Sequence, residues 1–177
     1  MTSSPSVVVV TDANVLINLI HTGRLPLLGQ LPGLRFVVPD DVVAEVTEGD
    51  QPARLAEALL TGTLTTCTLT ELVDLTLFAE LRVVLGSGES ACLALAQGSG
   101  WHIASDELGR FRREVHARLG GQRLLTTPAI YLRAIRSGLL SVAEADADKA
   151  LLASRRFVMR FASFADLRCL AISSSSR

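Results

Sequence analysis

The stretch Val7–Ile17, with the sequence VVVVTDANVLI, decides the fold of this chain. Its four valines favour a strand, and an unbroken apolar run of this length is typical of a strand buried on both faces of a parallel sheet. After Asp12, apolar residues return at helical spacing as Val15, Leu16 and Leu19. We therefore predict Asp12 at the carboxyl end of a central strand, where open α/β sheets bind their ligands. Its alternative role is to cap the helix that follows.

The rest of the chain alternates between strand and helix patterns. Four further strands are predicted from short apolar or threonine-rich runs, at Arg35–Val38, Leu64–Leu69, Trp101–Ala104 and Arg123–Thr126. Helical patterns include Leu72–Leu85, Glu107–Leu119 and Val142–Leu170. The alternation indicates an α/β fold with a parallel or mostly parallel sheet.

A second acid follows a predicted strand in the same way as Asp12. Asp106 comes directly after Trp101–Ala104 and Ser105. Because parallel strands end at one edge of a sheet, both acids are expected at that edge. Their carboxylates converge if the two strands are neighbours, which the crossover rules allow.

The overall composition is that of an ordinary globular chain. Its 177 residues are 49% hydrophobic and 20% charged, with a net charge of −1, so a nucleic acid would have to bind a local patch. No stretch approaches the ~20 apolar residues that span a bilayer. The first six residues lack a basic leader segment, and the three cysteines are scattered, as expected of reduced thiols. We expect a cytoplasmic protein with one domain over residues 1–170 and a disordered tail over residues 171–177.

Glu89 is an acid with an apolar helical neighbourhood. Residues three, four and seven positions later are Cys92, Leu93 and Ala96. A buried carboxylate needs a partner, because its desolvation costs several kcal/mol. That partner is either a bound metal or a distant part of the fold; alternatively, Glu89 only favours a helix N-terminus through the helix dipole. Glu45 lies on another predicted helix and would, taken alone, be a solvated surface residue.

Several carboxylates at one site repel each other unless a cation is present. Ligand sets made only of oxygen suit hard ions such as Mg²⁺ or Mn²⁺. Such an ion can activate water for attack on phosphorus and neutralise charge on a phosphodiester oxygen. The acids therefore indicate metal-assisted phosphodiester cleavage.

The four acids, in their order along the chain, resemble the PIN-domain family of metal-dependent ribonucleases. The matching segments are Asp12 in VTDANVLI, Glu45 in PDDVVAEV, Glu89 in GESA and Asp106 in ASDE. The chain is most similar to PIN proteins related to the toxins of bacterial and archaeal toxin–antitoxin systems. The resemblance covers residues 7–167 and implies a three-layer α/β/α fold with a parallel sheet of about five strands.

The resemblance also implies the roles of individual residues. Asp12, Glu89 and Asp106 would bind Mg²⁺ or Mn²⁺, and Glu45 would complete the catalytic set near the metal. Asn14 and Ser105 are candidates to support the acids. Many family members have a second Asp where this chain has a longer Glu107, which we leave outside the metal set.

The basic residues after Asp106 suggest where the substrate would lie. We expect Arg110 and Arg113 to contact the phosphate backbone of RNA. His102 and His116 have no nucleophile or paired acid beside them in the sequence, so we treat them as structural.

The sequence therefore predicts a metal-dependent endoribonuclease acting on single-stranded or structured RNA, as the toxin of a toxin–antitoxin pair. The expected partners are an antitoxin protein and a second copy of the chain, with no membrane association. The alternative is a catalytically weak PIN-like module that binds RNA or protein. A phosphatase with an aspartyl-phosphate at Asp12 is disfavoured, because Asn14 stands where such enzymes carry a second Asp.

Overall fold

The computed structural model describes residues 6–167, so the predicted disordered tail, 171–177, lies outside the described residues. Within this range, five strands form one parallel sheet in the order β3-β2-β1-β4-β5. The strands are β1 (Val7–Thr11), β2 (Leu34–Pro39), β3 (Thr65–Cys67), β4 (His102–Ala104) and β5 (Leu124–Leu125). The predicted α/β class and five-strand parallel sheet are confirmed.

Helices connect the strands, as parallel pairing requires. They are α1 (Ala13–His21), α2 (Asp40–Glu45), α3 (Gln51–Leu60), α4 (Leu72–Leu81), α5 (Ser87–Ser99), α6 (Arg110–Leu119), α7 (Thr127–Arg136) and α8 (Val142–Ser154). Two short 3₁₀ helices lie at Leu25–Gly29 and Gly121–Arg123. This arrangement agrees with the three-layer α/β/α fold expected from the sequence.

The core is built on the central strand and one helix. Val9 and Val10 of β1 are fully buried: β2 and β4 pair with β1 on either side, and α5 packs against it. Every residue of Ala91–Ala96 in α5 is also buried, since this stretch of the helix is apolar nearly all round. The sheet and α5 together fix the places from which the acids extend.

Three helices differ from the sequence prediction. The predicted helix Leu72–Leu85 ends at Leu81, so residues 82–85 are not helical. Residues 107–109 are not helical, because Gly109 has φ +73° and ψ −125°, a conformation that suits glycine, and α6 begins only at Arg110. The prediction of a helix continuing from Val142 was wrong for residues 155–163. There α8 ends in a Schellman-type turn, with Arg156 at φ +69° and the Phe157 N–H bonded to the Leu152 carbonyl.

The described residues form two compact units, one up to Thr127 and one from Pro128. The first contains the whole sheet. In the second, the ring of Tyr131 stacks on Phe164 with centroids 5.6 Å apart, and its hydroxyl donates to Asp148 at 3.2 Å. Phe161 meets Phe164 edge to face at 4.9 Å. Among the described residues, no helix combines the length and apolar character needed to cross a bilayer.

Candidate active site

The candidate site lies where β1 and β4 end side by side. Thr11 pairs with Ala104, and the N–H of Asp12 donates to the Ala104 carbonyl at 2.9 Å. Ser105 continues the pairing on the other side, donating its N–H to the Leu125 carbonyl of β5 at 2.9 Å. The strands that precede Asp12 and Asp106 are therefore neighbours, as the predicted convergence of the two carboxylates requires.

Asp12 is almost completely buried, with 3% of its surface exposed. Its Oδ1 accepts the N–H of Ala13 at 2.9 Å, so the side chain does cap α1. Its Oδ2 accepts the hydroxyl of Ser105 at 2.9 Å and the side-chain amide of Asn14 at 2.8 Å. Capping and participation in the site are thus combined in one carboxylate.

The environment of Asp12 disfavours its charge. Burial, the largest cause, together with the negative charges of Glu89 and Glu107, raises the pKa of Asp12 from 3.8 to about 6. Hydrogen bonds from Ser105 and Ala13 act in the opposite direction but do not offset these effects. The ionised site therefore carries unbalanced negative charge that a cation would stabilise.

Asn14 links the end of β1 to the segment after β4. Its amide donates to Asp12 at 2.8 Å and to Glu107 Oε1 at 3.1 Å, with a longer contact to Ser105 Oγ at 3.3 Å. Its carbonyl oxygen accepts the N–H of Asp106 at 3.0 Å. Both residues expected to support the acids, Asn14 and Ser105, contact Asp12 directly, and Glu107 joins the same network.

Asp106 is held by two residues that the sequence interpretation missed. Its Oδ1 accepts the N–H of Thr127 at 2.8 Å, and its Oδ2 accepts the Thr127 hydroxyl and the amide of Asn18 at 3.0 Å. Burial and the charge of Glu107 raise the pKa of Asp106, while the Thr127 and Asn18 hydrogen bonds lower it.

A signal for both missed residues exists in the sequence. Asn18 follows Asn14 by four positions, so the two amides share one face of a helix whose other residues from Val15 to Ile20 are apolar. Thr127 follows β5 and reaches the same edge of the sheet as Asp12 and Asp106.

Glu89 and Glu45 both bind the N-terminus of α5. Glu89 is half-buried, and its Oε2 accepts the N–H of Gly86 at 2.9 Å, as the helix-terminus alternative predicted. The exposed Glu45 accepts the N–H of Gly88 at 2.8 Å. A Cβ on Gly88 would lie 2.6 Å from Glu45 Oε2, so this approach depends on glycine. Glu89 nevertheless acts on the site electrostatically, since its charge contributes to the raised pKa of Asp12.

The donor chemistry of the site fits a hard divalent cation. The acids offer only carboxylate oxygens, and a carboxylate oxygen can accept two hydrogen bonds. Asp12 Oδ1 and Asp106 Oδ1 are each used once, by Ala13 and Thr127 respectively, so each retains a lone pair. Among residues 6–167, however, no three His, Cys, Asp or Glu side chains are already gathered as a metal cluster.

The two arginines expected to contact substrate have different surroundings. The guanidinium of Arg110 donates to the Val84 carbonyl at 3.4 Å. Arg113 is exposed and lines an open cavity with Gly109, Arg112 and His116. Arg113 is therefore the freer of the two to meet a ligand.

Comparison with known proteins identifies a family. A family model described as a PIN domain matches residues 8–159, a range that includes all four acids. No curated protein matches the chain.

Proposed function

The chain belongs to the PIN-domain family, and on this premise we propose that it is a metal-dependent endoribonuclease that hydrolyses single-stranded or structured RNA. PIN domains are generally nucleases, and they typically use divalent metal ions. The observation that carries the proposal is the meeting of Asp12 and Asp106 at neighbouring strand ends, linked through Asn14. The alternative is a catalytically weak PIN-like module that binds RNA or protein.

The residues of the site divide into acids and groups that orient them. Asp12, Glu89 and Asp106 would hold Mg²⁺ or Mn²⁺, with Glu45 beside them. Bound there, the ion would act as a Lewis acid and would activate a water for attack on phosphorus. Ser105 and Asn14 fix the carboxylate of Asp12 through two hydrogen bonds to Oδ2.

Asp106 is oriented by a separate pair of donors. Asn18 and Thr127 both donate to it, so its plane is fixed from α1 and from the end of β5. Rigid orientation of this kind keeps carboxylates in a productive geometry, since the supporting groups are themselves held by packed elements.

The test is cleavage of a mixed single-stranded RNA pool with added Mg²⁺ or Mn²⁺. Wild type is expected to cut the RNA. Asp12→Asn or Asp106→Asn should lower the cleavage rate roughly 100-fold or more, because a bound metal lowers the barrier by several kcal/mol. Asp50→Asn is the matched control: it removes the same charge at an exposed residue paired with Arg54 at 2.6 Å.

Two results would contradict the nuclease. One is metal-dependent cleavage that survives unchanged in Asp12→Asn, which would indicate a contaminating enzyme. The other is a folded wild type that neither cuts RNA nor binds Mn²⁺ in calorimetry with a dependence on Asp12. That second result would favour the binding module.

We further propose that the protein is the toxin of a toxin–antitoxin pair and acts as a homodimer. The resemblance to toxin-related PIN proteins supports the first part. The homodimer is supported by exposed apolar residues on and just after α4: Leu72, Val73 and Val83 are 79%, 72% and 82% exposed.

The two parts are tested separately. Expression in a bacterial host should slow growth for wild type but not for Asp12→Asn. Light scattering should give twice the monomer mass for wild type and the monomer mass for Leu72→Glu.

A further inference from the structure

The basic residues on the two sides of α6 differ in whether they have partners within the protein. On one side, Arg118 pairs with Glu114 at 3.0 Å, four residues earlier on the helix, and Arg110 donates to the Val84 carbonyl. The other side carries the basic cluster, which we define as Arg112, Arg113 and His116. In the part of the chain that the structure describes, neither arginine of this cluster has an ion-pair partner.

The basic cluster lines a shallow, open depression beside α6. Together with Gly109 it borders an open depression of about 440 Å³. The imidazole of His116 is held against Gly121, where a Cβ would lie 2.9 Å from ring atom Cε1. Glycine at this position therefore leaves room for the ring beside the depression.

The cavity is close to the acidic site. Gly109 follows Asp106 by three residues, and even a fully extended chain of that length covers only about 11 Å between Cα atoms. A phosphodiester held at Asp106 would therefore bring the neighbouring phosphates of the same strand to the region of the cluster.

The acids also create a need for positive charge nearby. Asp12, Asp106 and Glu107 repel a polyanion, and the chain as a whole has a net charge of −1, so no global field attracts nucleic acid. Binding energy must come from local cations. Arginine suits this task, because its planar guanidinium donates two parallel hydrogen bonds to a phosphate.

We propose that the basic cluster is a phosphate-binding subsite for single-stranded RNA, contacting the backbone beside the phosphodiester that is cut. The inference rests on the proposed nuclease function and deepens it. Arg112 and Arg113 bind the phosphate oxygens, and His116 adds an imidazole N–H donor. Contacts to phosphate carry no base information, so the subsite sets affinity and register rather than sequence preference.

The test measures binding separately from cleavage. Fluorescence anisotropy with a labelled single-stranded RNA 12-mer in EDTA gives Kd for the full chain across a series of KCl concentrations. For Arg112→Gln/Arg113→Gln we expect Kd to rise about tenfold or more at low salt, and the slope of log Kd against log salt to fall by about 1.4, for two lost phosphate contacts on a single strand. Arg113→Lys keeps the charge, so it should retain the salt slope.

The matched control removes two arginines that already have partners. Arg54→Gln/Arg118→Gln changes the net charge by the same amount, but Arg54 pairs with Asp50 and Arg118 with Glu114. This variant should change the salt slope by less than half as much as the cluster variant. Equal effects of both variants would mean that only net charge matters, and would overturn the subsite.

A cleavage assay in Mg²⁺ distinguishes failure of the subsite from failure of the nuclease. The cluster variant should raise KM with kcat nearly unchanged, since the contact exists in both the bound and the reacting state. If RNA binds through the cluster but is never cut, the nuclease proposal is rejected and the subsite proposal stands. The subsite proposal would be overturned if wild type does not bind RNA, or if the cluster variant has unchanged Kd and KM. An acidic protein segment would then be the favoured ligand of the cluster.

Discussion

Asp12 is expected to destabilise the metal-free fold at neutral pH. The carboxylate is 3% exposed, and burial together with the charges of Glu89 and Glu107 raises its pKa from 3.8 to about 6. Because the folded state binds this proton more tightly than the unfolded state, the contribution of Asp12 to the free energy of unfolding is most favourable below pH 3.8. This contribution falls as the pH rises through about 6, and above that pH the full cost of burying the charge is present.

The size of this effect follows from the shift. About two pKa units correspond to roughly 3 kcal/mol of unfolding free energy, at about 1.4 kcal/mol per unit. Asp12→Asn removes the titration, so the variant should gain on wild type as the pH rises. A cost of about 1 kcal/mol acts against it at every pH, because the new side-chain amide meets that of Asn14 where Asp12 accepted a hydrogen bond. The net gain at pH 7.5 is then about 2 kcal/mol.

The assay is urea unfolding in EDTA from pH 4.5 to 7.5, with wild type, Asp12→Asn and the exposed-site control Asp50→Asn. The stability difference between wild type and Asp12→Asn should change by about 2 kcal/mol across this range, while the control shows no comparable trend. Excess Mg²⁺ should then stabilise wild type more than the variant. A difference between wild type and Asp12→Asn that does not depend on pH would refute the reasoning, since burial would then not be acting on the charge of Asp12.

Two further predictions concern the groups around the acids. Gly88→Ala should change the free energy of unfolding by less than about 1 kcal/mol in thermal or urea unfolding. The new Cβ would meet Glu45 Oε2 at 2.6 Å, but this atom is the end of an exposed side chain that can move aside. The lost hydrogen bond from the Gly88 N–H to Glu45, about 1 kcal/mol, is offset by a similar gain of alanine over glycine inside a helix. A loss above about 2 kcal/mol would contradict this reasoning. Ser105→Ala should raise the pKa of Asp12 further, since the lost hydroxyl stabilises the carboxylate. Carboxyl NMR titration of the metal-free protein measures this, and an unchanged or lower pKa would show that the hydroxyl has no such effect.

Local pattern in the sequence was enough to predict the first strand, the helix after it and the general architecture. Val7–Ile17 carries both the period of a buried strand and that of a helix, and these periods depend only on neighbours along the chain. The same pattern placed Asp12 at a strand end, and the order of the four acids indicated the family that the match over residues 8–159 establishes. Helix ends were predicted less well, because single backbone conformations decide them, as at Gly109 and Arg156.

Only the tertiary structure decided how the acids are held. Pairing of β1 with β4 joins residues 91 positions apart, such as Asn14 and Ser105, and local periodicity contains no information about strand order. The same holds for Asn18 and Thr127, whose amide and hydroxyl bind Asp106. For Glu89 the sequence left open a metal, a distant partner or the helix N-terminus. The structure gives Glu89 one partner within a turn of its own helix, the Gly86 N–H at the N-terminus of α5. Its effect on the pKa of Asp12 depends on the packing of α5 beside the strand ends, which no local pattern encodes.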